Sequence, residues 1–445
     1  MRSPKIRRFG TFIGGIDLPD EKGSAQNEPI VAWGRTEKLS LPLGPNARSA
    51  ATAIVRESQV VEAGELIAAA PDESPDIFAP AGATVTGFST VRAAGRYAMR
   101  KVPAADLAIA SQVDFARPSL TRPHWLDITD ADLWDRITEG QLTVHRPGAV
   151  PLTKWIIEAR AKSCTLVVAN AMEQQPLVSA NHRLLVDYGP EVIEGFAILA
   201  RAASIADAAL VVPRRRTDSY RSLSDAADRF RISQVALSHK YPTEADTILT
   251  KVLTNRSVPP GRTSMDVQVA VIDPATCFAA YRWVACGQRL GGRIVSVSGS
   301  ANAEDGNYFI PFGTRCMEII NSGEHIVVHG GPLIGMLCDE TTVVTPATDA
   351  VLAITPSPYS PSGPCIRCGW CTDHCPTRLN VSALNDDFEL SQVEHAGRLY
   401  VSACVGCGVC SYICPARLPL MQRVKQLKLA WLHARAVERK GSGRQ

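Results

Sequence analysis

An α+β multidomain chain is predicted by three observations. The length of 445 residues exceeds what one hydrophobic core organises and argues for two to four domains. Residues 36–100 carry short alternating β patterns broken by glycine and proline, whereas residues 125–258 alternate strand with helix. Eight of the thirteen cysteines fall within residues 365–414, in two copies of one spacing.

Residues 1–35 read as an N-terminal arm containing Gly14-Gly15-Ile16-Asp17-Leu18-Pro19. In residues 36–102, Ser58–Ile67 and Phe78–Val85 are hairpin candidates, and together they resemble the small barrel-sandwich of biotinyl and lipoyl carriers. A carrier presents a lysine at a hairpin tip. No lysine lies between Val55 and Val91, so covalent modification is not expected.

Over residues 103–258 the rhythm is βαβ. Cys164–Ala169 and Ala208–Val212 are buried-strand runs, and Val192, Ile193, Phe196 and Leu199 recur at helical spacing on a helix opened by Pro190. That rhythm predicts a parallel sheet. Residues 265–300 hold a further strand–helix–strand unit, assigned to a separate domain over 259–350. Pro356–Pro364 reads as a linker inside a cysteine domain spanning 351–420, and 421–445 as a basic helix and tail, with Val424, Leu427, Leu429 and Trp431 on a basic background.

Charge excludes little but does exclude something. Forty-seven basic and 44 acidic residues are too balanced for a nucleic-acid binder. Arg2, Lys5, Arg7 and Arg8 at one end, and Arg435, Arg439, Lys440 and Arg444 at the other, read as solvated tails, with a contact to an acidic partner or a membrane surface as the sharper alternative. With no membrane-length apolar run and no signal-peptide core, a cytoplasmic protein is expected. Clustered cysteines there point to metal rather than disulfides. Cys164, Cys277, Cys286, Cys316 and Cys338, scattered among apolar neighbours, read as buried small hydrophobes.

The two sets, Cys365-x₂-Cys368-x₂-Cys371-x₃-Cys375-Pro376 and Cys404-x₂-Cys407-x₂-Cys410-x₃-Cys414-Pro415, match the spacing that holds paired [4Fe–4S] clusters. Three thiolates of a tight loop converge on one cubane, and the fourth, expected to begin the following helix, ligates the other. Cluster 1 is therefore expected on Cys365, Cys368, Cys371 and Cys414, and cluster 2 on Cys404, Cys407, Cys410 and Cys375. Gly369, Gly406 and Gly408 keep side chains out of the loops. Structural zinc is the alternative, but it needs four ligands and no duplicate of this motif.

In order along nearly its whole length, the chain resembles the RnfC family, a component of the Rnf complex, the ion-translocating ferredoxin:NAD oxidoreductase. The resemblance rests on Gly14-Gly15-Ile16, the sandwich, Ile310-Pro311-Phe312-Gly313-Thr314, His329-Gly330-Gly331-Pro332 and the cysteine module down to Arg417-Leu418-Pro419-Leu420. It implies a Rossmann-like α/β domain akin to the complex I flavoprotein, a β-grasp (SLBB) domain, and a helical two-cluster ferredoxin-like domain. It also implies partner subunits of a membrane-bound complex, holding the chain at the cytoplasmic face of the inner membrane, with ferredoxin or NADH as donor or acceptor. In the family a GxGGAGFPTxxK loop and an N-x-x-E-x-E-P stretch surround FMN. Here the loop reads Val144–Lys154, in which only Gly148, Pro151 and Lys154 match. The second stretch keeps Asn170, Glu173 and Pro176 but has Gln175 for the second acid, and Pro213-Arg214-Arg215-Arg216 replaces a later acidic stretch.

Two readings follow. Either Lys154, Asn170 and Glu173 are the remnant of a working FMN site, with Arg146 or Arg214–Arg216 supplying phosphate charge, or the fold persists without flavin and NADH. The second is favoured, because close backbone approach needs glycine. The expected function is a relay of single electrons through two [4Fe–4S] clusters within an Rnf-type complex. An FMN-containing NADH dehydrogenase component, a cobalamin-reductase-like carrier and a non-catalytic scaffold or ligand sensor are the alternatives.

Overall fold

The computed structural model describes residues 11–19, 21–44, 50–71, 74–95, 98–110, 115, 120–146, 150–299, 305–320, 325–355 and 361–442. Arg2, Lys5, Arg7, Arg8, Arg444, the loop residues Pro147, Gly148 and Ala149, and linker positions 356–360 lie outside these, as do the side chains of Arg439 and Lys440.

The sandwich packs two sheets over Leu39, Ile67, Val85 and Leu107. One runs Lys38–Pro42, Met99–Ile109, Ala83–Ala94, Val60–Val61; the other runs Thr52–Ala53, Leu66–Ala69, Ile77–Phe78. Neither hairpin candidate is a hairpin. Val60–Val61 pairs with Ala83–Ala94, and Leu66–Ala69 with Thr52–Ala53 and Ile77–Phe78. The glycines at 64 and 82 mark corners where the chain changes sheet; a turn residue signals a change of direction without naming the strand met afterwards. The long hairpin is Ala83–Ala94 with Met99–Ile109, which also runs across the expected 102/103 boundary.

The α/β unit has four parallel strands in the order Ile232–Leu237, Asp207–Pro213, Leu166–Asn170, Val269–Ile272. Val269–Ile272 does not open the next domain as expected. It pairs with Leu166–Asn170, so the division at 258/259 falls inside this unit. Its four residues are all buried, and such a run suits any strand covered on both faces. The helix expected from Pro190 starts earlier, at Ala180, and runs to Ala202 with Pro190 inside it and non-helical angles at Tyr188. Val192, Ile193, Phe196 and Leu199 are buried as spaced. A Cβ at Gly195 would lie 1.9 Å from the Cys277 carbonyl oxygen, so glycine lets this helix touch Pro274–Val284 backbone to backbone.

A six-stranded mixed sheet follows in the order Met336–Leu337, Ile326–His329, Ala350–Ile354, Gly292–Ser298, Gly306–Pro311, Val31–Ala32. Its last strand comes from the N-terminal arm, and Ile16–Asp17 pairs with Lys240–Tyr241. The arm thus ties two units together. The cysteine domain packs Val381–Glu389, Val393–Arg398 and the C-terminal helix Leu420–Ser442 around Leu384, Val401, Val424 and Leu427. Cys164, Cys277, Cys286 and Cys316 are buried; Cys338 is only partly so. Among the described residues, no helix is long and apolar enough to cross a membrane.

Candidate metal centre and flavin-like cavity

Both cysteine loops repeat one backbone. Arg367 and Gly406, two residues after the first cysteine of each set, have φ of 55° and 70°; Gly369 and Gly408, two further on, have 82° and 80°. Gly369 and Gly408 open the short helices Trp370–Asp373 and Val409–Tyr412. The third cysteine, Cys371 or Cys410, lies in that helix, and the fourth follows its end rather than beginning a new one. The proline after each fourth cysteine explains this, because it steers the residue before it away from helical angles.

The chain then crosses over. Cys365, Cys368, Cys371 and Cys414 surround one cavity, with Ile366 and Leu418 in its wall. Cys375, Cys404, Cys407 and Cys410 surround a second, with Val409 and Val424. Among the described residues, no three His, Cys, Asp or Glu side chains converge as a single metal ion requires. Four thiols spread around a cavity instead fit a larger iron–sulfur cubane. Burial raises the Cys371 and Cys404 thiols, and it pushes Cys407 up to about 12. Iron binding must therefore drive off protons that these sites would otherwise keep.

The two cavities differ in exposure. Cys368 of the first is exposed and its neighbour Ile366 is 65% exposed. The second faces inward. A Cβ at Gly408 would sit 2.4 Å from the Leu333 carbonyl oxygen, and one at Gly14 would sit 2.7 Å from that of Cys375. Tyr241 donates its hydroxyl proton to the Cys407 carbonyl at 2.6 Å and accepts from Gln175 Nε2 at 2.6 Å. Gln175 also reaches Glu244 Oε1 at 3.3 Å and accepts from Leu333 N–H at 3.1 Å. Sequence reasoning missed this chain from Glu244 to the second cysteine loop. Its one signal was Gln175, at a position where the resemblance leads one to expect an acid.

Glu244 lies on a cavity of about 370 Å³ at the ends of the parallel strands, together with Asn170, Glu173, Arg146, Asp246 and Asp273. Asn170 and Glu173 therefore meet there, but both serve the protein. Asn170 Nδ2 donates to the Glu244 carbonyl at 2.8 Å, and its Oδ1 accepts from Met172 N–H. The Glu173 carboxylate accepts from the N–H groups of Asn181 at 2.9 Å and His182 at 3.1 Å, capping the helix Ala180–Ala202. Lys154 is exposed on Leu152–Ala161 and does not line the cavity. Nor do Arg214, Arg215 and Arg216: the first two are exposed and Arg216 is buried against Gln26. The reading that gave the triplet a phosphate fails on that placement.

Arg146 does enter the cavity, as a plug. It bonds Asp246, and its Nε lies 3.8 Å from Asp273. Burial works against its charge, but the two carboxylates outweigh it and hold the guanidinium above its ordinary value. The lining carries five carboxylates (Glu173, Glu244, Asp246, Asp273 and Asp349) against Arg146 and Arg293. Burial lowers the nearby His145 and His329 to about 4, leaving both neutral. A flavin phosphate would meet an excess of negative charge, so the described residues do not fit FMN.

Three family models match the chain: the RnfC barrel sandwich hybrid domain over residues 10–104, the Nuo51 FMN-binding domain over 147–282, and a 4Fe-4S dicluster domain over 358–415. The chain is 24% identical over 387 residues to the C component of the proton-translocating ferredoxin:NAD(+) oxidoreductase complex of Clostridium ljungdahlii, and the alignment covers 84% of each. It is 26% identical to the C component of the ion-translocating oxidoreductase complex of Klebsiella pneumoniae and 28% identical to that of Salmonella paratyphi A. Those two alignments cover 83% and 94% of this chain but only 50% and 58% of the relatives. Two structures of an NAD+-reducing [NiFe]-hydrogenase align at 14–16% identity with TM-scores of 0.47 and 0.48, over 67% and 72% of this chain and 63% of theirs. With matches to a barrel-sandwich hybrid domain, an FMN-binding domain and a dicluster domain in this order, the chain is similar to the C components of these complexes over most of its length.

Proposed function

We propose that this chain is the electron-transfer component of an Rnf-type oxidoreductase complex, relaying single electrons through two [4Fe–4S] clusters. Cys365, Cys368, Cys371 and Cys414 hold cluster 1; Cys404, Cys407, Cys410 and Cys375 hold cluster 2. The observation that carries the reading is the crossed grouping of the eight thiols around two cavities. Cluster 2 faces the α/β unit and cluster 1 faces outward, so electrons pass between a donor on the inner side and a partner at the exposed edge. Partner subunits hold the chain at the cytoplasmic face of a membrane, and ferredoxin or a reduced pyridine nucleotide is the soluble partner. In this reading the four parallel strands form a Rossmann-like domain, and the mixed sheet of residues 292–354 is an SLBB β-grasp domain. Flavin is not part of the relay in this reading, since Arg146 fills the cavity with its charge already paired to Asp246 and Asp273, and the five carboxylates disfavour a phosphate.

Anaerobic purification followed by iron, sulfide and flavin analysis tests this. About eight iron and eight sulfide per chain, without flavin, is the expected result. One FMN per chain favours the NADH dehydrogenase alternative, and fewer than about four iron with zinc present sinks the clusters.

A further inference from the structure

The two cysteine cavities receive unequal charge from the rest of the chain. Lys425 and Lys428 stand three residues apart on the C-terminal helix and so share one face. Lys428 Nζ donates to the Cys404 carbonyl at 2.7 Å. The Lys425 stem crosses the same loop, with its Cε 2.8 Å from where a Cβ on Gly406 would lie. Both side chains line a groove with Cys404, Val405 and Gly406. Glycine at 406 is what lets a lysine come so near. In the first loop the matching position is Arg367, whose own guanidinium is 74% exposed and 3.3 Å from Asp386. Its charge is spent on that carboxylate and on water.

We propose that Lys425 and Lys428 set the reduction potential of the cluster held by Cys375, Cys404, Cys407 and Cys410, raising it, and leave the other cluster nearly untouched. The inference rests on the ligand reading above. Adding one electron to that site makes it one charge more negative, with no bond formed or broken. Two ammonium groups on this loop, Lys425 near enough to act on the Cys404 and Cys407 sulfurs and Lys428 on that of Cys404, favour that added charge, because they are partly buried and weakly screened. Local charge is one of the ordinary controls on such potentials. Lys428 also holds the loop through its hydrogen bond, whereas Lys425 meets the loop through its stem. Lys425 is therefore the cleaner probe of charge.

The test is a potentiometric titration of the full anaerobic chain, followed by electron paramagnetic resonance. The wild type should show two one-electron steps. Lys425→Met should lower one step by about 59 mV, a tenfold fall in the reduced-to-oxidised ratio at fixed potential, and leave the other in place. Lys428→Met should move the same step in the same direction. Lys425→Arg should keep the wild-type position. Should Lys425→Met fail to retain iron, Lys425→Gln is read in its place. A step that stays put in these variants, two steps that move equally, or an arginine variant that shifts as far as the methionine one overturns the inference. Iron analysis separates the failures: a wild type with about four iron sinks the ligand reading itself, whereas eight iron with unmoved potentials sinks only the lysines' role.

Discussion

The cysteine module matches its motif residue for residue, the cavity at the ends of the parallel strands matches its own only in part, and only the module gathers its matching residues into a ligand set. In the module, eight thiols at repeated spacing gather into two sets of four. In the cavity, Asn170 and Glu173 match a flavin-lining stretch, yet one holds the Glu244 carbonyl and the other caps a helix. A buried thiol makes only weak hydrogen bonds, so a set of them has few structural uses. Amides and carboxylates have many, and chemical type at a matching position says little about role.

The largest effect should come from testing the crossover. Cys414 follows Cys410 by four residues but lines the cavity of Cys365, Cys368 and Cys371. Cys414→Ser should cost about half the bound iron, or change one cluster's resonance, at the site of the first set. The cluster on Cys404, Cys407 and Cys410 should keep its signal. Loss of that signal alone would make the two loops independent and break the comparison.

How far the sequence could be read follows from the same contrast. The two cysteine sets needed only spacing and a fixed loop, so their grouping was legible. The sandwich strands were legible as strands but not as partners, because Gly64 and Gly82 look alike at a hairpin and at a sheet-crossing corner. Val269–Ile272 was legible as a buried strand, but nothing in four apolar residues names the sheet it joins. The arm reads as irregular because each of its strands is two residues long and takes its order from a distant partner. At the cavity the decisive residue is Arg146. It stands out as an intruder in a glycine loop, but its partners Asp246 and Asp273 lie 100 and 127 positions away, beyond the reach of any local pattern.

Removing the plug sharpens the comparison from the other side. Arg146→Ala leaves Asp246 and Asp273 facing each other's charge without the cation between them. The variant should lose about 2–3 kcal/mol of stability at neutral pH, read from denaturant midpoints of the cluster-loaded chain. It should still retain no FMN after incubation with the cofactor, because the five carboxylates stay. Tight flavin retention would show that Arg146 alone had closed an otherwise working site.

Glu244 offers the smallest effect and joins the two regions, standing in the cavity while its hydrogen-bond chain ends on Cys407. Burial is the main force on it and raises its carboxyl from 4.5 to about 7, against the opposing pull of Gln174 N–H, the Gln175 side chain and Lys22. Because the folded chain holds this proton more tightly than the unfolded chain, its contribution to stability is complete below about pH 4.5. It declines as pH rises towards 7 and is lost above that. Partial exposure of the side chain limits the size to about 1–2 kcal/mol. Glu244→Gln keeps the neutral shape, and an amide oxygen can still accept from Gln174 N–H. The variant should therefore lose the decline between pH 4.5 and 7 and end more stable than the wild type at pH 8. An unchanged pH profile would mean that water reaches the carboxyl freely. In that case the cavity would be an ordinary solvated cleft, and its ion pairs would weigh little against a flavin.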